Sequence, residues 1–487
     1  MENRIEYTFK FYARVVVFDK SKDKVLLLKK KSDQKIGPGA WLLPGGTVEF
    51  GEDIEISLIR EIEEETNLKI RSLELFVTKK MIIEGVHWLG LYYFGEVLDE
   101  DSLKNVEVTK HEIAQFIPLC DVPDLRDYTV LQFVKNIQSN KEHFDTLTCS
   151  SKDHSMGEYL NRYVSMKMHH LIRINHECFS RVRVIGSYDR SIHVSKDEKN
   201  DKHFNFKRPT AFIDGDILYL CCFPSRDYVR HYANLVATYF HHIGERKTVS
   251  LIHTNEHSIY NAFALTNIES IPEADIILYG NVDHIGIFEN QEWKGKGDFL
   301  WKLGNIKNKK VLLLGCRFSI WGDAGYFLVR KLVKYISFET FVYIGKLGSL
   351  EKNVSANQFL ATGEKSFVLG KEVEWKNIFK DVVGKYENVR IGNHITCPSV
   401  IEETKEAIEQ FQKIGDFIDP EIGQMARSCN EEKKQFSYLH IISDNVVTPR
   451  EENLSNERDL EIPKKRKALF IQIGKIITES IERIKSI

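Results

Sequence analysis

Cysteine is scarce and shows no pairing pattern: eight residues among 487, at 120, 149, 178, 221, 222, 316, 397 and 429, with no C-x-x-C and no regular spacing. That favours reduced thiols over a disulfide framework or a structural zinc site. Net charge is nearly absent as well. Lys and Arg number 68 against 70 Asp and Glu, a balance of −2, so no global basic field argues for nucleic acid as a partner. No apolar run approaches the roughly 18 residues that would cross a bilayer. The start, MENRIEYTFKFYARVVVF, lacks a basic stretch followed by an uninterrupted apolar core. These absences predict a soluble, cytoplasmic protein with no membrane partner, and 487 residues predict about three domains.

What the chain does have is concentrated between Trp41 and Leu68, WLLPGGTVEFGEDIEISLIREIEEETNL. Gly45-Gly46 permits a tight turn in which backbone comes close to a ligand. From about Asp53 to Thr66 the spacing predicts a helix, because Ile54, Leu58 and Ile62 recur every four residues. Glu61, Glu64 and Glu65 then share another face at i, i+3 and i+4. Three clustered carboxylates repel one another unless a cation holds them, and carboxylate oxygens suit the hard ions Mg²⁺ or Mn²⁺. Arg60 is placed to orient the cluster or to pair with Glu52. A solvated acidic face would explain the glutamates alone, but not the Gly-Gly turn together with the offsets of Glu52 and Arg60.

The segment resembles the signature of the Nudix hydrolases, G-x5-E-x7-R-E-U-x-E-E-x-G-U with U aliphatic. Every position matches except the last glycine, which is Asn67, the next most tolerant residue in the left-handed conformation of a helix end. The resemblance implies a Nudix-like α/β/α sandwich with a mixed sheet over residues 1–140, with a closing helix at 128–137. It implies metal at Gly45, Glu61, Glu64 and Glu65, supported by Gly46, Glu52 and Arg60. The implied reaction is attack of water on a diphosphate, with one of the glutamates or Glu112 as general base.

Composition turns polar near residue 140, and residues 141–205 read as a linker with a connecting helical segment at 159–178. His169, His170, His176 and Cys178 there fit no zinc spacing. From 206 to 487 strands alternate with helices, which predicts an α/β domain with a central mixed sheet, leaving 250–305 unassigned. Strand-end segments carry Arg226, placed at a helix start where anions bind; Gly345 and Lys346; Glu421; and Ser443-Asp444, followed by Arg458. In the tail, PKKRK at 463–467 reads as the solvated basic turn of a proline-started helix.

The order of these segments resembles the purine nucleoside phosphorylase and nucleosidase superfamily. By that resemblance Glu421 accepts ribose hydroxyls, Asp444 protonates the departing purine with Ser443 beside it, Arg458 tunes Asp444, and Lys346 with Arg226 binds phosphate unless water is the nucleophile. Subunits of that superfamily pair, so a homo-dimer or larger oligomer is expected. Together the two resemblances imply a bifunctional enzyme of purine nucleotides or nucleosides. Two alternatives stand beside it: a nucleotide-depleting stress or defence effector, and a regulatory module that binds nucleotides with one or both sites inactive.

Overall fold

The computed structural model describes residues 9–20, 24–34, 38–83, 86–118, 142–143, 146–187, 190–196, 198, 203–252, 256–448, 452–457, 459 and 461–483. They form a mixed α/β architecture in two compact units, one within residues 1–140 and 189–193, the other within 141–188 and 194–487. No helix among the described residues is long and apolar enough to cross a membrane.

In the first unit, β-branched and aromatic residues build two small sheets. Phe9–Val17 runs parallel to Val86–Val97, which pairs antiparallel with Ile70–Ile83. The last is one strand with register shifts at Ile70/Ser72 and Leu75/Val77. A second sheet places Lys24–Lys30 between Trp41–Leu42 and His111–Pro118, all antiparallel. The acidic helix spans Ile54–Thr66 and packs Leu58 and Ile62 into a core with Ala13, Val15, Leu26 and Tyr93. Asp53 caps its start by accepting the Glu55 and Ile56 amides, and Asn67 ends it at φ 59°, the left-handed geometry expected of the residue that replaces glycine. The closing helix expected at 128–137 lies outside the described residues.

Among the described residues the second unit contains three sheets, and of the stretch read as a linker it takes in 141–188 and 194–205, while 189–193 group with the first unit. The expected helix at 159–178 is broken: Tyr159–Lys167 and His170–Ile174 are separate helices, and His169 caps the second by accepting the Leu171 amide. Arg181–Gly186 lies between Ile217–Cys222 and Thr248–Ile252, all parallel, in the first five-stranded sheet, covered by the helix Arg226–His242. Residues 250–305, without a place in the sequence reading, supply Ile276–Gly280 and Phe299–Ile306 to the second five-stranded sheet. There Ile276–Gly280 runs parallel to both Lys309–Cys316 and Thr340–Ile344. Fully apolar runs such as Val311–Leu314 are buried on both faces, as parallel central strands require. An eight-stranded mixed sheet follows, with Lys346–Ser349 between Phe417–Asp419 and His440–Asn445 at its middle. One continuous apolar cluster reaches from Cys149 to Ile442 through this unit.

Candidate functional sites

In the first unit the Gly-Gly turn is forced by what it touches. Gly45 has φ 122°, and a Cβ there would lie 2.3 Å from the Ala13 carbonyl oxygen; a Cβ on Gly46 would lie 2.2 Å from Glu61 Oε2. Arg60 serves both roles open to it. Its Nε and Nη2 hold Glu52 at 3.1 and 3.3 Å, while Nη1 reaches Glu61 at 3.0 Å and Glu64 at 3.1 Å. Glu65 points inward and accepts the Gly45 amide at 2.8 Å. The Gly45 carbonyl receives the Arg14 guanidinium, and its second lone pair remains suited to a cation.

Two residues unmarked by the sequence reading join Glu65. Glu107 and His111 each bring a ligand atom within 4.8 Å of the others, and His111 Nε2 lies 3.8 Å from Glu65 Oε1. His111 Nδ1 and Glu107 Oε2 are buried without a hydrogen bond. Buried polar atoms in that state fit a site completed by an ion, and two carboxylates with one imidazole form a donor set for a divalent metal. Glu112, next along the strand, sits at a register shift and pairs with Lys29 at 2.9 Å, half-exposed, so the structure does not bring it into this group.

Burial pushes the Glu65 carboxyl up to about 7, against the pull of Arg14 and the Gly45 amide and with Glu61 and Glu107 adding to the rise. A carboxyl raised on folding stabilises the fold fully below its ordinary 4.5, and that contribution is lost as pH rises through about 7. Burial likewise pushes His111 down to about 4, which has the opposite sign: stability present above the ordinary 6.5 and lost as pH falls through about 4. The two trends offset each other in the unaltered chain. Glu65→Gln separates them. In metal-free buffer this variant should be more stable than the unaltered chain by roughly 3 kcal/mol at pH 8, with the gain gone at pH 4, read by urea unfolding. Equal gains at both pH values would contradict the assignment.

In the second unit Asp444 is buried (3% exposed), and Ser443 Oγ donates to its Oδ1 at 2.7 Å. Burial pushes its carboxyl up to about 6, with the Ser443 hydroxyl opposing, Glu457 adding to the rise, and Arg466 and Lys346 lowering it. Lys346 is ion-paired to Glu457, and Arg466 Nη1 stands 3.5 Å from the same carboxylate while its Nε donates to Asn357 at 2.6 Å. Burial acts against the charge on Glu457, yet Lys346, Lys167 and Arg466 hold its carboxyl well below the usual range. Arg458 lies outside the described residues. The arginine found in the Asp444 environment is Arg466, from within the PKKRK run expected to be solvated; it is 7% exposed.

Two expected phosphate contacts are placed differently from the sequence reading. Ser225 caps the Arg226–His242 helix, and the Arg226 and Asp227 amides donate to Asp323 at 3.2 and 3.1 Å. An internal carboxylate therefore fills the position expected for an anion, and the Arg226 side chain is exposed. Lys346 is likewise committed to Glu457. Glu421 stands at the start of the Ile422–Glu431 helix, buried, and accepts the Tyr343 hydroxyl at 3.3 Å. Burial, reinforced by Asp419, pushes its carboxyl well up. Gly345 sits so close to His440 that a Cβ would fall 2.7 Å from Nε2.

Residues 9–136 match the family model of the NUDIX domain. Among curated proteins, the chain is 24% identical over 332 residues to Oxidoreductase cns1 of Cordyceps militaris, covering 59% of this chain and 42% of that protein. It is 35% identical over 105 residues to the uncharacterized Nudix hydrolase YvcI of Bacillus subtilis, covering 21% of this chain and 63% of that one. The chain thus spans less than two thirds of the length of either relative. Among solved structures, the 5'-methylthioadenosine/S-adenosyl homocysteine nucleosidase of Campylobacter jejuni aligns with 43% of this chain and 100% of its own, at 12% identity and a TM-score of 0.36. The residues matched by that family model, 9–136, include the glycine turn and the acidic helix.

Proposed function

We propose that the chain is a two-site enzyme of purine nucleotide metabolism, in which the first unit hydrolyses a nucleoside diphosphate linkage and the second cleaves a purine N-glycosidic bond. The observation that carries the first half is the convergence of Glu61, Glu64 and Glu65 beside the Gly45-Gly46 turn, two of the three held by one guanidinium. A divalent ion such as Mg²⁺ or Mn²⁺, if held there, would supply charge neutralisation for a phosphoryl group under attack. Glu61, Glu64 and Glu65, with the Gly45 carbonyl, Glu107 and His111, are the residues to hold it. Arg60 keeps two of those carboxylates in place, and a glutamate of the cluster takes the proton of the attacking water.

In the second unit Asp444 is the proposed acid. Its raised carboxyl can carry a proton near neutral pH and pass it to the ring nitrogen of the leaving base, while Ser443 fixes its direction. Glu421 receives the sugar hydroxyls. With the Arg226–His242 helix start filled by Asp323, and Lys346 paired to Glu457, water is the favoured nucleophile over phosphate. Base release from purine nucleosides should then be unchanged on adding 10-fold excess phosphate over substrate, about 10 mM, and the sugar product should be free ribose. Ribose 1-phosphate in the product mixture would assign the reaction to phosphorolysis instead. The whole reading is tested by incubating the full chain and Mg²⁺ with a panel of purine nucleotides and following both phosphate-containing products and free base by mass spectrometry.

A further inference from the structure

The first turn of the Ile422–Glu431 helix, with Glu421 at its cap, is gripped by polar side chains from neighbouring strands. Asp419 Oδ1 accepts the Glu421 and Ile422 amides, both at 2.9 Å. The Gly423 amide donates to Thr396 Oγ1 at 3.1 Å. Thr396 is 3.1 Å from Ser366 Oγ, and Ser366 Oγ is 2.9 Å from His394 Nδ1. A consistent set of donors runs one way: Thr396, having accepted from backbone, donates to Ser366, and Ser366 donates to His394 Nδ1. The imidazole hydrogen is then on Nε2, which stands 3.1 Å from Asp419 Oδ1 without making a hydrogen bond to it. The chain of donors ends beside the carboxylate that caps the helix, 3.1 Å short of it. Gly423 is required at this point, since a Cβ would lie 2.2 Å from Thr396 Oγ1 and 2.5 Å from Ser366 Oγ.

His440 approaches Asp419 separately. Its Nδ1 accepts the Gly345 amide at 3.2 Å, which leaves its hydrogen on Nε2, 3.8 Å from Asp419 Oδ2. Neither of these two atoms has a hydrogen bond, and both side chains are buried. A buried donor and acceptor that face each other unpaired are costly, and a shift of about 1 Å would join them. The His440 ring also packs edge-on against Tyr343, centroids 4.6 Å apart, and Tyr343 is the residue that donates to Glu421.

We propose that His440 and His394 are positioning residues that fix Asp419, and through it and Tyr343 the orientation in which Glu421 meets the hydroxyls of a ribonucleoside. This rests on the reading that Glu421 contacts the sugar. The role predicts a loss confined to substrates that carry those hydroxyls, which damage to the fold would not produce.

The test uses the full chain, with base release measured from a purine ribonucleoside and from its 2',3'-dideoxy analogue. His440→Leu should raise KM for the ribonucleoside about tenfold, with kcat nearly unchanged, and leave kcat/KM for the dideoxy analogue within about twofold. His440→Gln, which places an amide N–H near the position of Nε2, should restore most of the loss. Ser366→Ala breaks the donor chain with a smaller change of shape and should show the same split, so the role stays testable if His440→Leu does not fold. Equal losses on both substrates, or no loss on either, would overturn the positioning role alone. An unaltered chain that releases no base from any purine nucleoside would overturn the reading of the site and this role with it.

Discussion

Glu61→Gln should slow hydrolysis of nucleoside diphosphate derivatives by about a thousandfold or more, while base release by the second unit stays at the unaltered rate. Glu61 is where three features of the first site meet. Arg60 Nη1 holds it at 3.0 Å, the missing Cβ of Gly46 makes room for its carboxylate, and it contributes to the raised carboxyl of Glu65. An amide keeps the shape and still meets Arg60 through its oxygen, but it carries no charge for a divalent ion. Isothermal titration with Mn²⁺ should show the metal affinity falling together with the rate. A variant that binds metal as before and loses only rate would assign Glu61 to proton transfer instead; unchanged rate and unchanged affinity would remove it from the site.

Asp444→Asn should reduce purine release by about a hundred- to ten-thousandfold, the usual share of a positioned general acid, without affecting diphosphate hydrolysis. The amide cannot deliver the proton, while it can still face Ser443. In the unaltered chain the acid form of Asp444 is lost as pH rises through about 6, so kcat/KM for base release should fall tenfold per pH unit well above that value. Arg466→Met should move this limb to higher pH, because it removes a charge that lowers the Asp444 carboxyl. A pH profile that stays flat to pH 8 and retains its rate in Asp444→Asn would contradict the assignment.

Much of the first site was legible because its residues lie within one turn and one helix, where spacing alone decides which side chains meet. Glu52, Arg60, Glu61 and Glu64 come together as the helical offsets require, and even the substitution of Asn67 for glycine agrees with its left-handed backbone. Glu107 and His111 could not be found this way, since a loop and a later strand bring them to Glu65 through long-range pairing. One signal was available: Glu107 and His111, an acid and a histidine four residues apart beside the Glu112 that the sequence reading chose in their place.

In the second unit the strand-end acids Glu421 and Asp444 were visible as motifs, but their surroundings were not. Arg466 lay hidden in a basic run that read as solvent-facing, yet the helix Glu461–Arg483 turns this one side chain of the run inward to Asn357 and Glu457. Arg226 shows the converse. A helix start after a buried strand predicts an anion site, but a carboxylate from 97 residues later in the chain already occupies it. The hydrogen-bonded run of Thr396, Ser366 and His394, with Asp419 beside it, joins three short strands whose register no local pattern encodes.

The most direct test of two separate sites in one chain is a single incubation of purine nucleotides and Mg²⁺ with the unaltered chain, Glu61→Gln and Asp444→Asn, with all products identified by mass spectrometry. The unaltered chain should give phosphate-containing products and free base, Glu61→Gln should lose the former alone when a nucleoside is also supplied, and Asp444→Asn should lose the latter alone. Free base that never forms, or that forms equally in Asp444→Asn, would contradict the assignment of two sites.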